Sequence, residues 1–185
     1  MKRIVRAAHS ELEEVKSLLE RDPKLSNATW DWGSGDFETP LGSASHMGRI
    51  DIAQILIKAG ARKDLFYYAM KGNFDVLRPA VTSDQSVVDV LGPHGISLFF
   101  HSAISGNVPL AAFLLENGGI IDNGSLNAPV RYGRSYEMTK WLLERGAVYY
   151  GQTGFGKDPL AKWARNQGMK QIADLLDERY QPTAK

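Results

Sequence analysis

Histidine is the side chain in this sequence best suited to chemistry, because it titrates near neutrality and is the commonest transition-metal ligand. There are four: His9, His46, His94 and His101. None of the 185 residues is cysteine, which excludes thiolate nucleophiles, disulfides and zinc–cysteine sites and suits a reducing compartment. Acid–base work would then fall to histidine with a carboxylate, for which Asp31, Asp36 and Glu38 are at hand, and Ser43 and Ser97 are hydroxyls near His46 and His101. The usual marks of a hydrolase are missing: there is no G-x-S-x-G elbow, H-E-x-x-H helix or phosphate-binding loop. Gly33-Ser34-Gly35 lacks the later glycine and the following helix of a phosphate cradle, and reads as a turn. The charge clusters Glu11 to Glu14 and Asp177 to Arg179 read as solvated helix faces.

Which of these side chains can meet depends on the elements that carry them. Residues 39 to 61 predict two short helices. In the first, Leu41, Ala44 and Ser45 share one face, Pro40 suits the first turn, and Gly48 ends the helix. In the second, Ile52, Ile55 and Leu56 form an apolar stripe, and Gly60 follows where a left-handed residue is wanted. Residues 97 to 119 repeat the plan without a gap, with Gly106 at the break, Pro109 opening the second helix, Leu114-Leu115 in its core and Gly118-Gly119 closing it. Looser copies run around Leu18-Leu19, Gly72, Gly133 and Gly168, the fifth and sixth needing one-residue slips. In the third copy Pro79 falls inside the second helix and is expected to kink or end it.

The pattern Thr39-Pro40-Leu41, Ala44, Gly48, Leu56 and Gly60-Ala61 resembles the ankyrin repeat. Gly42 and Phe100 stand where that family has histidine. The segments 33 to 39 and 92 to 96 are similar to a bacterial subset of ankyrin proteins. The resemblance implies an all-α solenoid of about six helix-turn-helix repeats with projecting finger loops. The repeats fall roughly at 1–29, 30–62, 63–93, 94–123, 124–152 and 153–180, in a single domain over 1–180 with a tail at 181–185.

Stacked repeats align equivalent positions in columns. Arg6, Ser43, Tyr67 and His101 form one column of the first helices, and His9, His46, Met70 and Ile104 form the next. The resemblance implies that these helices line a concave groove, with fingers carrying Trp30, Trp32, Asp36 and Phe37, then His94, then Tyr149, Tyr150 and Phe155. Aromatic anchors favour recognition. The expected binding residues are therefore Arg6, His9, Trp30, Trp32, Asp36, His46, Tyr67, His94 and His101.

Helices about 8 to 10 Å apart put His46 and His101, two repeats apart, nearly 20 Å from one another, too far to share a metal. His9 with His46, or His94 with His101, can meet. No metal, cofactor or catalytic residue is assigned on this basis, and folding is expected to be indifferent to a chelator. The expected function is binding of a protein or peptide, with a small-molecule site or enzyme built from finger aromatics and groove histidines as the alternative.

Lys and Arg number 22 against 21 Asp and Glu, which argues against a nucleic-acid or membrane surface built on net charge. No apolar run approaches the roughly 20 residues of a spanning helix, and the start lacks the apolar core of a signal peptide. A cytoplasmic monomer is the expectation. With 43% hydrophobic residues the chain has ordinary globular composition and should fold on its own.

Overall fold

Short capped helices dominate the chain, because apolar stripes alternate with residues that cap helix starts and with glycines that turn the backbone. The structure, a computed structural model, describes residues 1–122, 124–151, 153 and 157–181. Phe155 and residues 182–185 of the tail lie outside the described residues. The helices come in successive pairs: α1 (Lys2–Ala7) and α2 (Leu12–Arg21), α3 (Pro40–His46) and α4 (Ile50–Lys58), α5 (Leu65–Met70) and α6 (Phe74–Ser83), α7 (Leu98–Ser105) and α8 (Val108–Glu116). A π-helical turn (Ala128–Gly133) precedes α9 (Tyr136–Glu144), and α10 (Leu160–Asn166) precedes α11 (Lys170–Glu178). The class is thus mainly helical, with one departure from all-α. The finger at 30–38 is a hairpin of β1 (Trp30–Asp31) and β2 (Phe37–Glu38), paired Trp30 to Glu38 and Asp31 to Phe37.

Three of the first helices, α3, α5 and α7, start at a side-chain cap. Thr39 Oγ1 accepts the Gly42 N–H at 3.0 Å, Asp64 Oδ1 the Tyr67 N–H at 2.8 Å, and Ser97 Oγ the Phe100 N–H at 3.1 Å. First helices pack on one another in chain order: α1 on α3, α3 on α5, α5 on α7, and α7 on the π turn. Leu41 and Leu98 of the first helices and Leu56, Leu110 and Leu114 of the second helices are buried in the core.

Three expectations are refined or corrected. Pro79 does not end its helix; α6 runs on to Ser83, and Pro79 and Asp75 both lie at the exposed surface, where water can take the carbonyl that the ring leaves without a donor. The one-residue slip expected around Gly133 is taken up by the π turn, so the left-handed residue moves to Arg134, with φ of 51°. A Cβ at Gly133 would collide with the Ile104 carbonyl, which is why glycine stands there.

The third correction concerns spacing. α3 packs on α5 but also reaches α7 directly. Just past α3, Gly48 adopts φ of +63°, and a Cβ there would lie 3.0 Å from Ile104 Cγ2. The 20 Å expected between the second and fourth first helices is too wide at this end, because glycine removes the side chain that would hold α3 and α7 apart. Among the described residues no helix is long and apolar enough to cross a membrane.

Leu56 and Leu114 have no exposed surface, and replacing either by alanine should cost about 2 to 5 kcal/mol in urea unfolding at 25 °C. A loss below about 0.5 kcal/mol at both positions would contradict this core.

Candidate metal centre

The hairpin places a carboxylate in the interior. Side chains alternate along a strand, so with Phe37 turned to solvent at 61% exposure its neighbour Glu38 points inward and has no exposed surface. Glu38 Oε2 accepts the Trp32 indole N–H at 2.7 Å, whereas Oε1 is buried without a hydrogen-bond donor. Three imidazoles surround that second oxygen. His46 Nδ1, at the last residue of α3, lies 3.3 Å away; His94 Nε2, from the turn before α7, lies 3.5 Å away; and His9 Nε2, from the turn after α1, lies 3.6 Å away. The four ligand atoms all fall within 4.8 Å of one another.

The tautomers follow from the outer nitrogens. His9 Nδ1 is 3.1 Å from the Val5 carbonyl and 3.2 Å from that of Arg6, acceptors that require a proton on Nδ1. His94 Nδ1 is 2.7 Å from Asp36 Oδ2 and likewise carries the proton. In both rings Nε2 is the nitrogen that faces Glu38 Oε1. His46 Nδ1 is buried without a hydrogen-bond partner. Burial first, then the neighbouring His9, His101 and His94, hold His46 down at a pKa of about 3, so it is neutral at pH 7. Three ring nitrogens and one carboxylate oxygen therefore converge, and that oxygen accepts a hydrogen bond from none of them, an arrangement that a cation resolves.

His94 is held there against backbone strain. Its φ of 60° is left-handed, which costs a non-glycine residue about 1 kcal/mol or more. Asp36 offsets this by accepting the His94 backbone N–H through Oδ1 at 2.8 Å while Oδ2 takes the ring. That backbone hydrogen bond, with a smaller share from the ring, draws the Asp36 carboxyl below its ordinary pKa.

Of the residues expected at the site, His9, Trp32, Asp36, His46 and His94 converge. Trp30 lies beside them, half-buried, with Lys2 Nζ 5.2 Å above its ring. Arg6 is at the exposed surface and Tyr67 packs against Tyr68, so neither joins the cluster. His101 is fully buried against Phe66 and Phe100 and is corrected from groove contact to core. His9 and His46 meet, but the expectation that the histidines form no cluster at ligand spacing is overturned: His94 joins them rather than His101, with ring centroids 6.3 Å from His9 and 5.4 Å from His46, because the 92–97 turn folds back over the end of α3. Tyr149 is buried, its hydroxyl accepting the Ala161 N–H at 3.2 Å, and is no finger anchor. Glu38 was absent from the expected binding residues; its signal was alternation against exposed Phe37 in a two-residue strand.

Beside the cluster opens a cavity of about 430 Å³, lined by His9, His46 and His94 on one side and Met47, Ile96, Phe100 and Tyr132 on the other.

Burial lowers the His101 pKa from 6.5 to about 4. Because the folded value lies below the unfolded one, the unfolded chain takes up the proton first, and stability falls as pH drops from about 6.5 towards 4. With a chelator present throughout, the native chain should lose about 2 kcal/mol between pH 7 and pH 4.5 through this group, and His101→Met should flatten that loss. Equal slopes in both proteins would contradict a neutral buried His101. No protein-family model matches the chain, and no curated protein matches it, so the reading of the site rests on its geometry.

Proposed function

We propose that the chain binds one divalent first-row metal ion, zinc by preference, through His9, Glu38, His46 and His94. The observation that carries this reading is the fully buried Glu38 Oε1, without a hydrogen-bond donor and ringed by imidazole nitrogens at 3.3, 3.5 and 3.6 Å. Four ligands at about 2.0 to 2.1 Å from a tetrahedral ion stand about 3.3 to 3.4 Å from each other; the three separations from Glu38 Oε1 are close to this, and all four atoms lie within 4.8 Å of one another. Imidazoles with one carboxylate and no thiolate suit zinc and its neighbours rather than calcium or magnesium. Asp36 behind His94, and the Val5 and Arg6 carbonyls behind His9, are the outer partners that fix a ligating histidine's tautomer and orientation. With two of the histidines partly open to solvent, the centre serves binding or chemistry on a small molecule in the adjoining cavity.

The successive helix pairs and their recurring caps support an ankyrin-type stack as the scaffold, with the metal joining the first pair, the hairpin, the second pair and the turn before the fourth. A protein or peptide partner is a second reading, favoured by Phe37 and Leu91, each 61% exposed and both lining one cleft beside the hairpin.

Isothermal titration of chelator-treated protein with zinc should give one saturable site. Free zinc at 100 times its Kd should add about 2.7 kcal/mol to stability, raising the Tm by roughly 5 to 10 °C. Glu38→Gln and His46→Ala should each weaken binding more than tenfold, and Asp36→Asn about tenfold. Absence of saturable binding, or affinities unchanged in all three variants, would refute the assignment.

A further inference from the structure

The cavity beside the proposed centre has two unlike walls. One is the edge of the three histidines; the other is Met47, Ile96, Phe100 and Tyr132, with the Phe100 and Tyr132 rings 6.1 Å apart between centroids. Among the described residues, its lining contains no Lys, Arg, Asp or Glu. Its volume of about 430 Å³ lies within the range of small-ligand sites, about 300 to 1,000 Å³.

Charge decides what such a cavity can hold. A divalent ion with three neutral imidazoles and the Glu38 carboxylate carries a net charge of +1 beside an apolar wall, where water screens it poorly. One monoanion neutralises it. Asp36 stands outside His94 with its carboxylate 30% exposed, where solvent screens its contribution. Since no cationic side chain lines the cavity, an anionic head has the metal as its one strong partner, and the rest of the ligand meets only carbon-rich surface.

Resting on the metal reading above, we infer that this cavity is the subsite of a small monoanionic ligand, whose oxygen head binds the metal and whose aromatic or branched apolar body packs against Met47, Ile96, Phe100 and Tyr132. The same pairing fits the exposure of the four side chains: Glu38 and His46 are sealed while His9 and His94 are partly open, so the anionic head adds as a fifth donor from the open side, an expansion that zinc-type sites make.

Cobalt-loaded protein tests this, because cobalt(II) in a zinc-type site has a visible spectrum that responds to a new oxygen ligand. The probes are acetohydroxamate and benzohydroxamate, which share a metal-binding anionic head and differ in apolar body. Both should shift the spectrum, and benzohydroxamate should bind at least about tenfold more tightly, since its ring removes far more apolar surface from water. Tyr132→Ala should reduce that preference to under about threefold and leave the probe-free cobalt spectrum unchanged; Met47→Ala makes the same test should the tyrosine variant fail to fold. Cobalt bound but its spectrum unmoved by millimolar probe would overturn the inference, as would equal affinities for the two probes, a preference intact in both variants, or cobalt leaving the protein with the probe on dialysis. Failure to bind cobalt at all would instead overturn the metal reading itself, and this one with it.

Discussion

A carboxylate without exposed surface needs a partner for each oxygen, since burying an unpaired charge is among the costliest things a fold can do. Glu38 meets that demand asymmetrically. Trp32 satisfies Oε2 with a neutral N–H, and three imidazole nitrogens from three other parts of the chain surround Oε1 without donating to it. Every neighbouring feature can be read from this constraint. The hairpin turns Glu38 inward, the end of α3 brings His46 under it, the turn after α1 brings His9, and the strained turn before α7 brings His94.

The surrounding packing keeps those pieces in place. Gly48 lets α3 approach α7 closely, and Gly133 lets the π turn close under Ile104. These contacts bring the ends of α3 and α7 and the π turn together, and the cavity wall of Ile96, Phe100 and Tyr132 is built at the same junction as the histidine cluster. Asp36 shows the coupling most directly: one side chain both holds a left-handed backbone residue and orients its ring. Loss of that carboxylate would loosen a ligand and a loop together.

His101 makes an instructive contrast with His46. Both are buried, both have depressed pKa values and both have a ring nitrogen without a hydrogen-bond partner. Only His46 has its unpartnered nitrogen beside a carboxylate, 3.3 Å from Glu38 Oε1. His101 is surrounded by the rings of Phe66 and Phe100, with Nδ1 held 2.8 Å from the Ser97 carbonyl, and it fills space. Burial of a histidine is therefore no sign of chemistry by itself; what its free nitrogen faces makes the difference.

Periodicity and capping made much of the helical layout legible in the residues alone. Thr39-Pro40, Ser97 and the glycines at 48 and 106 mark boundaries through local backbone preferences that do not depend on the rest of the fold, so α3, α4, α7 and α8 could be placed from their own residues. Asp36, His9, His46 and His94 could be nominated for the same reason, as residue types with donor atoms near predicted helix ends and turns. Glu38 could not be ranked above Asp31, because which way a two-residue strand turns its side chains depends on what packs beneath it. Nor could His94 be paired with His46 rather than His101, since column spacing assumed a regular stack and the close approach at Gly48 and the folded-back 92–97 turn broke that regularity. The sequence by itself determined which short helices form and which donor atoms are available, because those follow from neighbours along the chain. Only the tertiary structure decided that four of those donors share one point, because contacts between residues up to 85 positions apart, such as His9 and His94, are set by packing rather than by local preference.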